Sequence, residues 1–276
     1  MRIIQDRRAL HQIPEVDWNL PETLCYLKEA LSGLGCHVFS PLEGALCAFF
    51  DFGADRALAF RADMDALPIP EKNDTEYVSR HPGNMHACGH DGHMAILLEL
   101  ARRLSGKKNN PWNILLVFQP AEETTGGARY ICETGVFRDY QVEAIFGLHL
   151  WPGLEKGKVF SRKNELMARA CQLLVDVYGK SAHIAKASEG IDALMAGVEF
   201  YRRAMAMEAA LPKEIYRLLK IGKFHSGTVR NALSAHTAWQ AVSGHFRMRF
   251  SSICAAACGP SAGRSRRNSV PLWPWT

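Results

Sequence analysis

The stretch that decides the fold is residues 93–150, HMAILLELARRLSGKKNNPWNILLVFQPAEETTGGARYICETGVFRDYQVEAIFGLHL, in which helical and strand-like segments alternate. Residues 93–104 have helical length and end in a basic turn, and 126–135 form a second, short helical segment. Residues 113–120 and 144–150 are apolar runs of strand length. This alternation predicts an α/β sheet.

The segments on either side of this stretch extend the prediction. Pro21, Glu22 and leucines at helical spacing predict an amphipathic helix that ends before Gly35. The short apolar runs 45–52 and 57–65 are separated by a turn-prone segment and predict two neighbouring buried strands.

The character of the chain changes from about residue 168. Residues 190–209 are rich in Ala and Met and predict a long helix, while 218–224 and 236–246 predict strands. We therefore expect a second, smaller α+β unit. Residues 251–276 have no periodicity, and we assign them no structure.

Polar side chains follow three of the predicted strands at the point where each strand ends. Asp63 and Asp65 close one strand, Glu122 and Glu123 follow the next, and His149 ends the third. Functional groups of open α/β sheets gather beyond the carboxyl ends of the strands, so we expect these side chains to converge.

The densest group of metal-ligand residue types is MHACGHDGH, residues 85–93. Cys88 and His90 are spaced to face one point from an irregular loop, and thiolate and imidazole are ligands suited to zinc and similar divalent ions. A single Cys or His is more often a core or capping residue. Five candidates within nine positions, with Gly89 and Gly92 allowing a tight backbone, favour a metal site.

The adjacent carboxylates Glu122 and Glu123 can divide two tasks. One side chain can reach a metal, while the other takes a proton from the water molecule that the metal activates. The alternative is a helix N-terminus at which acids interact favourably with the macrodipole. For His149 the alternative is a satisfied buried histidine.

Composition argues against several other classes of protein. There is no run of about 18 uninterrupted apolar residues and no apolar signal core after Met1, which predicts a cytoplasmic protein. The net charge of +5 comes from residues 215–276, where nine Lys or Arg and no acid leave 24 basic against 28 acidic residues before them. We therefore expect neither nucleic acid nor membrane as a partner. The eight scattered cysteines favour reduced thiols.

Six segments, taken in order, resemble the M20 metallopeptidase family. The resemblance is to its amidohydrolase branch of hippurate hydrolases, N-acetyldiaminopimelate deacetylases and auxin-conjugate hydrolases, and runs from about residue 7 to about residue 233. The segments are RADMDALPI (61–69), MHACGHDGHMA (85–95), QPAEETTGGA (119–128), GLHLWPG (147–153), GKSAH with GIDAL (179–194) and SGTVRNAL (226–233).

The resemblance implies a metal-dependent hydrolase of N-acyl amino acids or related small amides. Cys88, His90, Glu123 and His149 match the ligands of one or two divalent ions, with zinc or manganese expected and cobalt or nickel as alternatives. Glu122 matches the general base that deprotonates water and then protonates the departing amine.

The resemblance also implies a three-layer αβα, metal-dependent exopeptidase-like catalytic domain with an inserted α+β lid domain that mediates homodimerisation. His183 matches a lid histidine that helps to polarise the scissile carbonyl, Asn231 lies in a substrate-contacting stretch, and Asp65 looks like a carboxylate behind the ligands.

On this pattern residues 1–167 are the N-terminal portion of the catalytic domain, 168–250 the lid, and 251–276 an aberrant tail. The second half of the catalytic domain, with a final histidine ligand, is expected to be missing through truncation or a frameshift. The alternative function is a noncatalytic remnant that dimerises through the lid. A structural zinc site would want four saturating Cys or His ligands and no adjacent glutamates.

Overall fold

The computed structural model of the chain describes residues 2–163, 166, 169–213 and 217–245. These residues form two compact units, and the division falls after Lys156. The predicted boundary after residue 167 remains a prediction, and the predicted tail 251–276 lies outside the described residues.

The first unit is built on a five-stranded mixed sheet. Its strands are β1 (His37–Phe39), β2 (Leu46–Phe50), β3 (Ala57–Asp63), β4 (Asn113–Gln119) and β5 (Val142–Gly147). The strand order is β1-β2-β4-β3-β5, in which β3 is parallel to both β4 and β5, and β2 is antiparallel to β4. The prediction that the two early strands are neighbours is wrong, because β4 returns from a helical crossover and pairs between them.

Helices cover both faces of this sheet. The helices are α1 (Arg2–His11), α2 (Pro21–Leu31), α3 (His90–Leu104), α4 (Gly127–Glu133) and α5 (Val136–Asp139). Successive side chains of a strand point to opposite faces, so β4 places Leu116 in a core with α1, α2 and α3 and Leu115 in a second core with α4 and α5. The predicted three-layer α/β fold class is confirmed.

A buried ionic network attaches α1 to the first turn of α3. The His11 imidazole lies between Asp91 (Nδ1 to Oδ2, 2.6 Å) and Glu71 (Nε2 to Oε1, 3.0 Å), and Arg7 pairs with Asp91 at 2.9 Å. The hydrogen bond to Asp91 raises the pKa of His11 above its ordinary value of 6.5, against the effect of burial. For Glu71, burial acts to raise the pKa, but hydrogen bonds from Ser79 and His11 lower it to about 2.

These shifts predict a stability maximum for the network between its two titrations. The His11 contribution is full below pH 6.5 and is lost as pH rises through the raised pKa. The Glu71 contribution is full above its ordinary pKa of 4.5 and is lost as pH falls toward about 2. In urea unfolding, the stability gap between the natural chain and His11→Gln should therefore be widest between pH 4.5 and 6.5. If the difference in unfolding free energy between the two chains stayed constant from acid to alkaline pH, this network would not be the cause of the difference.

The second unit is a smaller α+β arrangement. A three-stranded antiparallel sheet of order β6-β8-β7 packs against one long helix, α6 (Ala193–Ala210). Its strands are β6 (Arg169–Tyr178), β7 (Arg217–Ser226) and β8 (His236–His245), and a 3₁₀ helix spans Ile184–Glu189. Within the described parts of the chain, no helix combines the length and the apolar character that crossing a membrane requires.

Candidate metal centre

The candidate site lies where three parallel strands of the first unit end together. β3, β4 and β5 run parallel, so the segments that follow them leave from one edge of the sheet. Asp65 follows β3, Glu122 and Glu123 follow β4, and His149 follows β5. The sequence-based expectation that these side chains converge at the strand ends matches their placement.

The remaining ligand candidates lie at the start of α3. His90 is the first residue of this helix, which corrects the expectation that Cys88 and His90 both lie in an irregular loop. Gly89 precedes the helix with φ of 90°, a left-handed conformation that glycine adopts without steric cost, and Cys88 lies just outside it, half-buried. The glycine therefore turns the chain so that both side chains face the strand ends.

A tight turn after β4 positions the two glutamates. Ala121 is fully buried with φ of 52°, an uncommon conformation for a residue with a side chain, and its carbonyl accepts hydrogen bonds from Gly126 and Gly127. Gly127 is required here, because a Cβ would lie 2.0 Å from the carbonyl oxygen of Pro120. The turn directs the N–H groups of the next two residues toward β3.

Asp65 holds this turn against the site. Its buried carboxylate accepts hydrogen bonds from the backbone N–H groups of Glu122 (2.9 Å) and Glu123 (3.0 Å). Its backbone carbonyl accepts a hydrogen bond from His90 Nδ1 at 2.7 Å. One residue thus orients three of the candidate functional side chains, in agreement with the expectation of a carboxylate behind the ligands.

The hydrogen bond to Asp65 leaves His90 ready to bind a cation. Because a carbonyl only accepts, Nδ1 carries the proton and Nε2 presents a lone pair. His90 Nε2 is buried and has no hydrogen-bond partner among the described residues, and the same is true of Glu123 Oε1. These two atoms lie 3.8 Å apart. Buried polar atoms are normally paired, so these two atoms are suited to hold a cation between them.

Cys88 and His149 complete the group from the other side. Cys88 Sγ and His149 Nε2 are 3.5 Å apart, and His149 Nδ1 donates to the carbonyl of Leu150 at 2.7 Å. His149 Nε2 therefore also presents a lone pair. His149 is exposed, so the alternative of a satisfied buried histidine does not describe it.

Two of the separations are those expected between ligands of a tetrahedral ion. Bonds of about 2.0 to 2.3 Å at the tetrahedral angle place ligand atoms roughly 3.3 to 3.8 Å apart. The 3.5 Å between Cys88 and His149 and the 3.8 Å between His90 and Glu123 lie close to that range. The potential metal-binding groups among the described residues all include His90, joined by Cys88 and His149, by Glu122 and Glu123, or by Asp63 and His93.

The electrostatics of the site favour a bound cation. Burial, followed by the negative charge of Glu123, raises the pKa of the Cys88 thiol to about 12. Burial also raises the pKa of Glu122, and the charges of Glu123 and Asp63 add to the effect. Both shifts reflect crowded negative charge in a partly dry site, which a divalent ion would relieve.

Residues 59–250 match the model of peptidase family M20/M25/M40. The chain belongs to this family. An uncharacterized hydrolase of Staphylococcus haemolyticus is 35% identical over 238 residues, which cover 85% of this chain and 62% of that protein. The chain thus spans about three fifths of the length of this relative.

Solved structures of the M20 family and its neighbours share the fold. A suspected aminohydrolase from methicillin-resistant Staphylococcus aureus has a TM-score of 0.81 at 29% identity, covering 92% of this chain and 69% of that one. The Bacillus subtilis YXEP protein, a dinuclear metal-binding peptidase from the M20 family, has a TM-score of 0.70 at 27% identity, covering 91% and 66%.

Sequence reasoning gave no role to two residues that the structure places at this M20 site. Asp63 Oδ2 lies 3.6 Å from His90 Nε2, and His93 Nδ1 lies 2.6 Å from Asp63 Oδ1. Burial acts to raise the pKa of Asp63, but the hydrogen bond from His93 and the positive charge of Arg61 hold it below its ordinary value. The sequence feature that could have pointed to His93 is its spacing of three residues from His90, which places both side chains on one face of a helix.

The two candidates of the second unit lie together within that unit. His183 precedes the 3₁₀ helix and accepts a hydrogen bond from the backbone N–H of Ala185, and it forms a bridge with Ala232. The carbonyl of Asn231 accepts from the N–H of Ile184 at 3.1 Å. The side chains of His183 and Asn231 are therefore carried by two adjacent, hydrogen-bonded segments.

Proposed function

We propose that this chain hydrolyses the amide bond of N-acyl amino acids or related small amides with the help of one or two divalent metal ions. The observation that carries the proposal is the pair of buried, unpartnered atoms His90 Nε2 and Glu123 Oε1, at the point where Cys88 and His149 also converge. A thiolate, two imidazoles and a carboxylate suit zinc and similar ions.

The different burial of the two adjacent glutamates supports different roles for them. The Glu123 side chain is 21% exposed and its Oε1 is an orphan, whereas the Glu122 side chain is 42% exposed. This difference supports Glu123 as the ligand. Glu122 stands on the open side, with Oε2 3.9 Å from His90 Nε2, where water and a substrate can reach it.

The mechanism follows from this division. Cys88, His90, Glu123 and His149 would hold the divalent ion, which would act as a Lewis acid on the amide carbonyl and on water. Glu122 accepts the proton of the attacking water and then delivers it to the amide nitrogen, which leaves poorly as an unprotonated anion.

The second unit contributes the substrate side of the proposal. From the resemblance to the amidohydrolase branch, we infer that His183 helps to polarise the scissile carbonyl and that Asn231 contacts the substrate. Homodimerisation through this unit and a cytoplasmic location remain predictions of the same kind.

A hydrolysis assay tests the proposal. The chain, stripped of metal and then loaded separately with zinc, manganese, cobalt or nickel, is incubated with a panel of N-acyl amino acids, and the release of free amine is measured. We expect turnover that requires metal, with metal content measured on the same samples. Bound metal without turnover of any N-acyl amino acid would contradict the substrate class, and a chain that binds no metal would contradict the site itself.

A further inference from the structure

The backbone of Leu150 connects two histidines of the site. Its N–H donates a hydrogen bond to His93 Nε2 at 2.9 Å, and its carbonyl accepts one from His149 Nδ1 at 2.7 Å. Both backbone polar groups of one residue are thus hydrogen-bonded to imidazoles, one on α3 and one after β5.

The protonation pattern of His93 follows from its two partners. Asp63 is an ionised carboxylate that also pairs with Arg61 at 2.6 Å, so it can only accept, and His93 Nδ1 must carry the proton. Since Leu150 N–H donates to Nε2, that nitrogen is unprotonated. His93 is therefore a neutral imidazole with a fixed tautomer.

Both ring nitrogens of His93 are engaged, which distinguishes it from His90. His90 Nε2 is free of protein partners among the described residues, whereas His93 would have to break a 2.6 Å or a 2.9 Å hydrogen bond to bind an ion. His93 is only 2% exposed. Its position suits a supporting role better than that of a ligand.

We propose that His93 is a positioning residue which, through the backbone of Leu150, holds His149 with its Nε2 unprotonated and directed at Cys88. The supporting chain runs from Asp63 to His93, to Leu150 and to His149. Its value for catalysis rests on the proposed function, in which His149 is a metal ligand, but the chain of hydrogen bonds exists without metal.

Packing contacts also hold Leu150 and His149 against α3. The Leu150 side chain covers the first turn of α3, where a Cβ on Gly92 would lie 2.4 Å from Leu150 Cδ1. The rings of His93 and His149 also meet edge to face, with centroids 4.7 Å apart. The segment after β5 is exposed, so these contacts are what fix His149 relative to α3.

Two substitutions separate the two hydrogen bonds of His93. In His93→Gln the amide oxygen can reach the position of Nε2 and accept from Leu150 N–H. In His93→Asn the shorter amide can still donate to Asp63 but does not reach Leu150. A general packing defect would affect both variants, whereas the proposal separates them.

The direct readout is the tautomer of His149 in the metal-free chain, measured by NMR on nitrogen-15-labelled histidine. We expect the Nδ1–H form in the natural chain and in His93→Gln, and a shift toward the Nε2–H form in His93→Asn. An unchanged tautomer in His93→Asn would overturn the inference. If His93→Asn does not fold, loss of the Nδ1–H form in His93→Gln would overturn it equally.

Cobalt binding gives a second readout, from the visible spectrum of the bound ion. We expect the affinity to fall about 10- to 100-fold in His93→Asn, as is typical when a residue supporting a metal ligand is lost, and to be largely retained in His93→Gln. A natural chain that binds no cobalt would contradict the proposed function, while the tautomer measurement would still decide the role of His93.

Discussion

Glu122→Gln is expected to lower the turnover of an N-acyl amino acid by about 10²- to 10⁴-fold, the usual contribution of a positioned proton-transfer group. Gln preserves the size of the side chain and the backbone N–H that donates to Asp65, so the turn after β4 should be retained. Only the ability to accept and return a proton is removed. Turnover is measured by amine release, and bound metal by elemental analysis of the same sample.

Glu123→Gln is the matched control for this experiment. The two residues are adjacent and both donate backbone N–H groups to Asp65, but Glu123 supplies the orphaned oxygen near His90. We expect Glu123→Gln to weaken metal binding, whereas Glu122→Gln should leave it intact. Near-normal turnover in Glu122→Gln would remove this residue from the role of base, and metal loss in both variants would show that the two roles are not separated.

Asp65→Asn is expected to destabilise the first unit by roughly 3 kcal/mol, because two hydrogen bonds to a charged acceptor are affected and each contributes about 1.5 to 3 kcal/mol. The buried amide can accept from only one of the two N–H groups of Glu122 and Glu123, and its own NH₂ group would face the other. Metal affinity should fall about 10- to 100-fold, since the turn that carries Glu123 loses its anchor. Urea unfolding and metal titration measure the two effects.

Asp51→Asn provides a control with the same chemistry at an exposed position. Asp51 Oδ1 accepts a single backbone N–H, from Gly53 at 2.8 Å. Its replacement should change stability by less than about 0.5 kcal/mol, as is usual at the surface, and should not affect metal affinity. If Asp65→Asn behaved like Asp51→Asn, the anchoring role of Asp65 would be refuted.

The convergence of the candidate side chains could be predicted from the sequence because it requires only that the strands are parallel. Parallel strands that alternate with helices end at one edge, so acids and a histidine after those strands come together whatever the finer details. The order of the strands could not be predicted in the same way. Two apolar runs separated by a short turn look like a pair, and the insertion of β4 between them depends on contacts distant in sequence.

The proposed division of labour between Glu122 and Glu123 rests on features that the sequence does not mark. The turn depends on Ala121 in a left-handed conformation, where a glycine would have been the expected signal. The hydrogen bonds to Asp65 then fix the backbone of both residues. The role of His93 was hidden for a similar reason, since its partner is the backbone N–H of Leu150.

The most direct test of the metal centre is a crystal structure of the zinc-loaded chain, with data collected at the zinc absorption edge. We predict an anomalous peak about 2.3 Å from Cys88 Sγ or about 2.0 to 2.2 Å from the ligand atoms of His90, Glu123 and His149, with Glu122 beside it but not bound. Two peaks that share these four residues would also agree. No peak among them, or a peak held by other residues of the chain, would contradict the account.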